Sequence, residues 1–275
     1  MPFVRKNEKY LLYIISIASG LIIILIALQV YPTNTRFGDY LVTVSIMTML
    51  FPIGMLNYLE YKWRKAIEER MPDLLYDIAE GQITGMSFIR ALQTATSKEY
   101  GVMSIELKKV LAQVKLGMSF EEAIRRFAER TDSQLVRRVG AIISDVNRFG
   151  GDIVEVVRSL ADYIKMILTI SEERRTAMRT YIGISYIAFG VLLVIVAILL
   201  NQFFLPTLQL GTAPLFISPV GYEEYRRAFF FFAITQAIFS GLVTGKLGEG
   251  SIFAGLKHIV IMLFLTLILF TLFIF

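Results

Sequence analysis

Apolar residues along this chain fall into two patterns, unbroken runs and helix-spaced stripes. The runs occupy residues 11–30, 40–58, 181–204 and 228–245, with a fifth at 259–275 whose apolar character reaches back to Ile252. Each is close to the ~20 residues that a hydrocarbon layer of ~30 Å requires, so five membrane spans are predicted. The first run is long for a signal-peptide core, and Gln29-Val30-Tyr31 is a poor cleavage site. It is therefore read as a span.

Between residues 59 and 180 the pattern changes to stripes, and no alternating strand pattern appears. Pro72 and Asp73 suit the first turn of a helix whose apolar face is Met71, Leu74, Leu75 and Ile78, with Gly85 ending it. Phe88, Ala91, Leu92 and Ala95 form a second stripe, and Leu107, Val110, Leu111 and Val114 a third. Phe120, Ala123, Ile124, Phe127 and Ala128 form the fourth; Leu135, Val139, Ile142, Ile143 and Val146 form the fifth. After Gly150-Gly151 a sixth carries Ile153, Val157, Leu160, Ala161, Ile164 and Leu168 toward the third span as a stalk. The expected fold is an all-α integral membrane protein with a six-helix bundle between spans two and three. Its regions are 1–58, 59–180 and 181–275.

The bundle contains an internal repeat. Gly85-Met86-Ser87-Phe88 through Leu92 recurs as Gly117-Met118-Ser119-Phe120 through Ile124, offset by 32 residues. Glycine ends a helix by taking the left-handed conformation without a Cβ clash, and serine then caps the next helix by accepting from its free N–H groups. Ser119 with Glu122, and Asp152 with Glu155, have capping-box spacing. Two copies are too few for a solenoid, so paired helical hairpins in a compact bundle are expected.

Charge orients the runs. Of the 28 Lys and Arg residues, twenty lie in 59–180, while Arg5, Lys6 and Lys9 precede the first span. The positive-inside rule then places the N-terminus, the bundle and the 246–258 loop in the cytoplasm, and the C-terminus outside. No ionisable residue is expected well inside a span, which argues against an ion-coupled transporter. The chain has no cysteine and one histidine, so thiol chemistry, disulfides and a His- or Cys-based metal centre are excluded, and no cofactor is expected. In the spans, Gly241-Leu-Val-Thr-Gly245 suits close internal helix packing.

Candidate contacts lie on the bundle. Asp73, Asp77 and Glu80 form an acidic stripe; Arg125, Arg126, Arg130, Arg137 and Arg138 form a basic cluster over two consecutive helices. Solvated faces would explain both, but like charges at helical spacing repel, so a protein partner is a competing reading. Nucleic acid is not expected, because no stacking aromatics interleave the arginines. Arg174, Arg175 and Arg179 suit anchoring at lipid headgroups. The 245–251 loop lacks the order of a phosphate-binding P-loop and is read as a tight turn. Ser240 and His258 could pair as an intramembrane protease only within hydrogen-bond reach, and Phe149-Gly-Gly-Asp152 lacks a second intramembrane aspartate. No catalytic residue is assigned.

Taken together, residues 71–80, the two Gly-Met-Ser corners, 120–131 and Gly150-Gly-Asp-Ile153 resemble the type II secretion F domain. That family supplies the membrane platform of type II secretion systems, type IV pili and the archaellum. The tail from Phe239 to Ser251, with Gly255-Leu-Lys-His258, is similar to archaeal members. The resemblance covers roughly residues 60 to 260. It implies a non-enzymatic platform in the cell membrane, acted on by a hexameric secretion ATPase and handling pilin-like filament subunits. It also implies a homodimer or pairing with a related platform chain. Many archaeal platforms have a longer or duplicated chain, whereas a single F domain is found here. A transporter or channel-like protein is the alternative reading, and would need a charged or water-lined residue inside a span.

Overall fold

A computed structural model describes residues 6–149, 153–206 and 221–273. Every regular element among them is helical: α1 Lys6–Val30, α2 Thr35–Glu68, α3 Met71–Ile83, α4 Phe88–Ala95, α5 Val102–Lys115, α6 Phe120–Thr131, α7 Gln134–Phe149, α8 Ile153–Ile198, α9 Tyr222–Glu249 and α10 Ile252–Leu272. A π-helical turn, Leu199–Phe204, follows α8. Among the described residues, five helical stretches are long and apolar enough to cross a membrane, and the chain is an all-α, multi-pass membrane protein.

Contacts divide the chain into two compact units. One is Leu59–Arg174; the other joins Val4–Tyr58 to Arg175–Phe275. Helices α2 and α8 each contribute to both. At 1.5 Å per residue, the 46 residues of α8 run about 70 Å, more than twice a hydrocarbon core. Its first half is correspondingly charged and its second half apolar.

In the first unit the predicted stripes supply the core, except that Ile142 of the fifth stripe is 40% exposed. Trp63 and Ile67 from α2 join Leu75 and Ile78 of α3, Met103 and Leu107 of α5, Phe127 of α6, Val139 of α7 and Ile164 of α8. Helix α4 has only 8 residues, well short of the ~12–15 an isolated helix needs. Burial of Phe88, Ala91, Leu92 and Ala95 therefore holds it. The two repeated corners have the same geometry. Gly85 and Gly117 take φ of 84° and 92°, and Met86 and Met118 donate to the carbonyls of Gly81 and Gln113. Phe88 and Phe120, the first helical residue after each corner, meet edge to face at 5.2 Å.

The caps differ from expectation. The Ser119 hydroxyl accepts from the Glu122 N–H at 3.2 Å, but the Glu122 carboxylate turns to Arg125 and Arg126 rather than back to the cap. Half a capping box results. Ser87 has nearly the same backbone conformation and makes no capping bond. The expected Gly150-Gly151 break, Asp152–Glu155 cap and Asp152 motif fall outside the described residues.

In the second unit, α9 and α10 form a close hairpin. A Cβ on Gly245 would lie 2.0 Å from the Gly255 nitrogen, and one on Gly241 2.6 Å from that of Ile259. These glycines let two backbones touch, as the sequence suggested. The turn is shorter than expected: α9 continues to Glu249, Gly250 takes φ of 75°, and α10 starts at Ile252.

Charges inside the helices require a correction. Asp39 and Arg226 are the fifth residues of α2 and α9, beyond the ends of the apolar runs, with side chains 0% and 1% exposed and 3.4 Å apart. Glu223 pairs with both Arg226 and Arg36, while Arg227 reaches Asp39 and stacks over the Tyr31 ring. Arg226 and Arg227 thus belong to a helix rather than a loop. At the other end of α9, Glu249 pairs with Lys257, and His258 Nδ1 lies 2.7 Å from the Tyr186 hydroxyl. Ser240 instead contacts Gln236 and Thr244.

Candidate partner-binding surface

The eight predicted contact residues meet different fates in the folded bundle. Asp73 and Glu80 are exposed on α3, Asp73 forming a 3.3 Å pair with Arg70 three residues earlier. Asp77 is drawn out of the stripe. Its carboxylate, 17% exposed, accepts from the Lys98 ammonium at 2.6 Å and from the Tyr100 hydroxyl. The hydrogen bond to Asp77 raises the Lys98 pKa. Burial, and then the same carboxylate, raise that of Tyr100. Asp77 therefore clamps the segment between α4 and α5 onto α3, and the acidic stripe reduces to Asp73 and Glu80.

Arg130 is likewise engaged within the bundle, half-buried at 26% exposure. Glu106 of α5 is 3% exposed, a residue that sequence reasoning passed over among the charges of that helix. Lys109 reaches one of its oxygens at 2.6 Å and Arg130 the other at 2.9 Å. Burial pushes the Glu106 pKa up, but the two donors more than offset it, leaving the group below the ordinary carboxylate range. The arrangement ties α5 to α6. An acid flanked by apolar neighbours at 103, 107 and 110 was the available signal, since only a paired carboxylate tolerates that face.

Four arginines remain at the surface. Arg125 and Arg126 share Glu122, the first at 2.5 Å and the second at 2.9 Å. The Arg126 hydrogen bond is the main cause of the lowered Glu122 pKa. Arg137 and Arg138 are exposed on α7 and form no ion pair among the described residues. Arg125 of α6 and Arg137 of α7 line one cleft of about 570 Å³, together with Glu121 and Glu129, over a floor that includes Ile124, Ala128 and Gly140. Gly140 keeps the helices close, because a Cβ there would lie 2.6 Å from Ile124 Cγ2. The cleft is charged at its rim and apolar at its base, the composition expected of a protein contact. No group of His, Asp or Glu residues suited to a metal occurs among the described residues.

Known proteins bear on this bundle. The type II secretion system protein F family matches residues 75–200, from α3 through the end of α8. An uncharacterized protein of Methanocaldococcus jannaschii is 27% identical over 234 residues. That alignment covers 85% of this chain but 38% of the relative, so the chain spans well under half of the relative's length. No solved structure matches significantly. The match to the type II secretion system protein F family thus takes in the repeated corners and the α6–α7 cleft.

Proposed function

We propose that this protein is a non-enzymatic platform subunit of a type II secretion or type IV pilus-like machine, an archaeal pilus or archaellum assembly apparatus. In this reading the bundle of residues 59–180 faces the cytoplasm, where a hexameric ATPase pushes on it. The spans transmit that motion to pilin-like subunits in the bilayer. The observation that carries the proposal is the placement of the family match. It covers most of the charge-rich bundle and the stalk-like α8 that leads from the bundle into an apolar span.

The α6–α7 cleft is the preferred ATPase contact, with Arg125 and Arg137 as its exposed cations; Arg126 and Arg138 flank it, and Asp73 and Glu80 form a second face on α3. Asp77 and Arg130 support the fold and are not assigned a contact. A transporter reading gains little from the newly found buried charges, because Asp39 and Arg226 neutralise each other at the helix ends.

Full-length protein in lipid vesicles, mixed with the secretion ATPase of its host, tests the proposal. Binding and a changed ATP hydrolysis rate are expected. Reversing Arg125 and Arg137 to Glu should weaken binding, with the wild-type interaction fading as salt shortens the Debye length from ~10 Å at 0.1 M. Absence of binding would overturn the platform reading; binding unaffected by the reversals would move the contact elsewhere.

A further inference from the structure

The α6–α7 cleft, at about 570 Å³, lies within the ~300–1,000 Å³ of ordinary binding pockets, and its chemistry narrows what it can take. On the α6 side Glu121, Arg125 and Glu129 follow one another at four-residue spacing, a row of alternating charge along one face of the helix. Arg137 stands on the α7 side. Arg125 is held by Glu122, three residues before it. Glu121, Glu129 and Arg137 make no side-chain hydrogen bond or ion pair among the described residues. Unpaired charges of both signs therefore ring a floor that includes Ile124 and Ala128. The rest of the α7 side is small: Gly140, Ala141 and Ser144. Small side chains at a contact let another helix axis come close.

These features select among ligand classes. Two carboxylates on the rim repel a phosphate-rich ligand. None of the lining residues is aromatic, so a flat ring has nothing to stack on. Every regular element among the described residues is helical, so no sheet edge is offered to an extended peptide. A helix fits what remains. Its apolar stripe fills a groove between two helices, and its flank repeats at the same four-residue step as the charged row on α6.

We propose that the cleft receives an amphipathic helix of a partner protein, its apolar stripe against Ile124, Ala128 and Gly140. One flank of that helix carries cation, anion and cation at four-residue spacing, set against Glu121, Arg125 and Glu129, and an anion on the other flank meets Arg137. This deepens the contact named above and rests on the platform reading only for which protein carries the helix.

Fluorescent amphipathic peptides with one shared apolar stripe test the site. The first carries Lys, Glu and Lys at four-residue spacing on one flank and Glu on the other; the second has every charge reversed. Each is titrated against the full-length protein in lipid nanodiscs, with protein-free nanodiscs as background. The first peptide should bind several-fold more tightly than the second. Protein carrying Glu121→Lys, Arg125→Glu, Glu129→Lys and Arg137→Glu should reverse that preference. None of the four side chains is buried, and unchanged helical circular dichroism is expected of the variant. A third peptide, the first with proline at its centre, keeps the charges but breaks the helix, and should lose binding. No binding above background, no preference on the wild-type protein, a preference that survives the reversal in a folded variant, or equal binding by the proline peptide would each overturn the proposal. If the preference holds while the host ATPase fails to bind, the helix site stands and the platform reading falls.

Discussion

Glu106 is buried between Lys109 and Arg130, and its neighbours decide how much it matters. Removing Arg130 leaves a buried carboxylate with one donor. A hydrogen bond to a charged group contributes ~1.5–3 kcal/mol, so Arg130→Ala should lower stability by about 2 kcal/mol. Arg137→Ala, on an exposed and unpaired cation, should stay within ~0.5 kcal/mol, and denaturant melts compare the two. The sign of the pH effect follows from Glu106 having a folded pKa below its unfolded one. Its stabilisation is complete above the unfolded value of about 4.3 and is lost as pH falls through the folded value. Glu106→Gln should therefore flatten the acid side of the stability profile, and an unchanged acid slope would refute this assignment.

The Asp39–Arg226 pair has larger stakes, since Arg226 is 1% exposed. Asp39→Ala would strand a buried guanidinium with Glu223 as its remaining anion, and a cost of about 3–5 kcal/mol is expected. Thermal melts in detergent should show this loss, while Arg227→Ala, at 43% exposure, should cost no more than ~1 kcal/mol. Glu106 was legible only through its apolar neighbours, and this pair not at all. A charge at the end of an apolar run, or on a helix rich in charge, reads as solvated until a distant segment is packed against it.

At the scale of elements, glycine governs two different things. At Gly117 the constraint is conformational: φ is 92°, and a Cβ there would touch nothing within 4 Å. Gly117→Ala should still lower stability by about 1–2 kcal/mol through left-handed strain, measured by urea melts. At Gly245 the constraint is spatial, because an added Cβ would fall on the Gly255 backbone. Gly245→Val should force α9 and α10 apart, costing about 3 kcal/mol or more and reducing the thermal stability of the detergent-solubilised protein. Both roles could be read from sequence, one from a glycine between two stripes and the other from paired small residues in an apolar run. The serine caps could not be read as well. Ser87 and Ser119 share a motif and a backbone conformation, yet only the second hydroxyl caps its helix.

For the molecule as a whole, Leu59–Arg174 has its own core drawn from seven helices. A 59–174 fragment should be soluble, strongly helical and cooperative in thermal unfolding; a non-cooperative melt would show that the spans are needed to hold it. The F-domain match begins inside this unit and ends in the apolar half of α8, so one continuous helix belongs to both parts of the chain.

The sequence by itself determined where the helices run, which faces are apolar and where five spans can form. It also determined the two glycine corners. These are set by periodicity and by local backbone chemistry, which act over a few residues. Tertiary structure decided which charges are free. It turned Asp77 and Arg130 inward, exposed a pairing site for Glu106, joined Asp39 to Arg226 and left Arg125 and Arg137 facing one cleft. The reason is that the environment of a charged side chain is set by helices far away in sequence, and burial or exposure changes its energetic role more than its identity does.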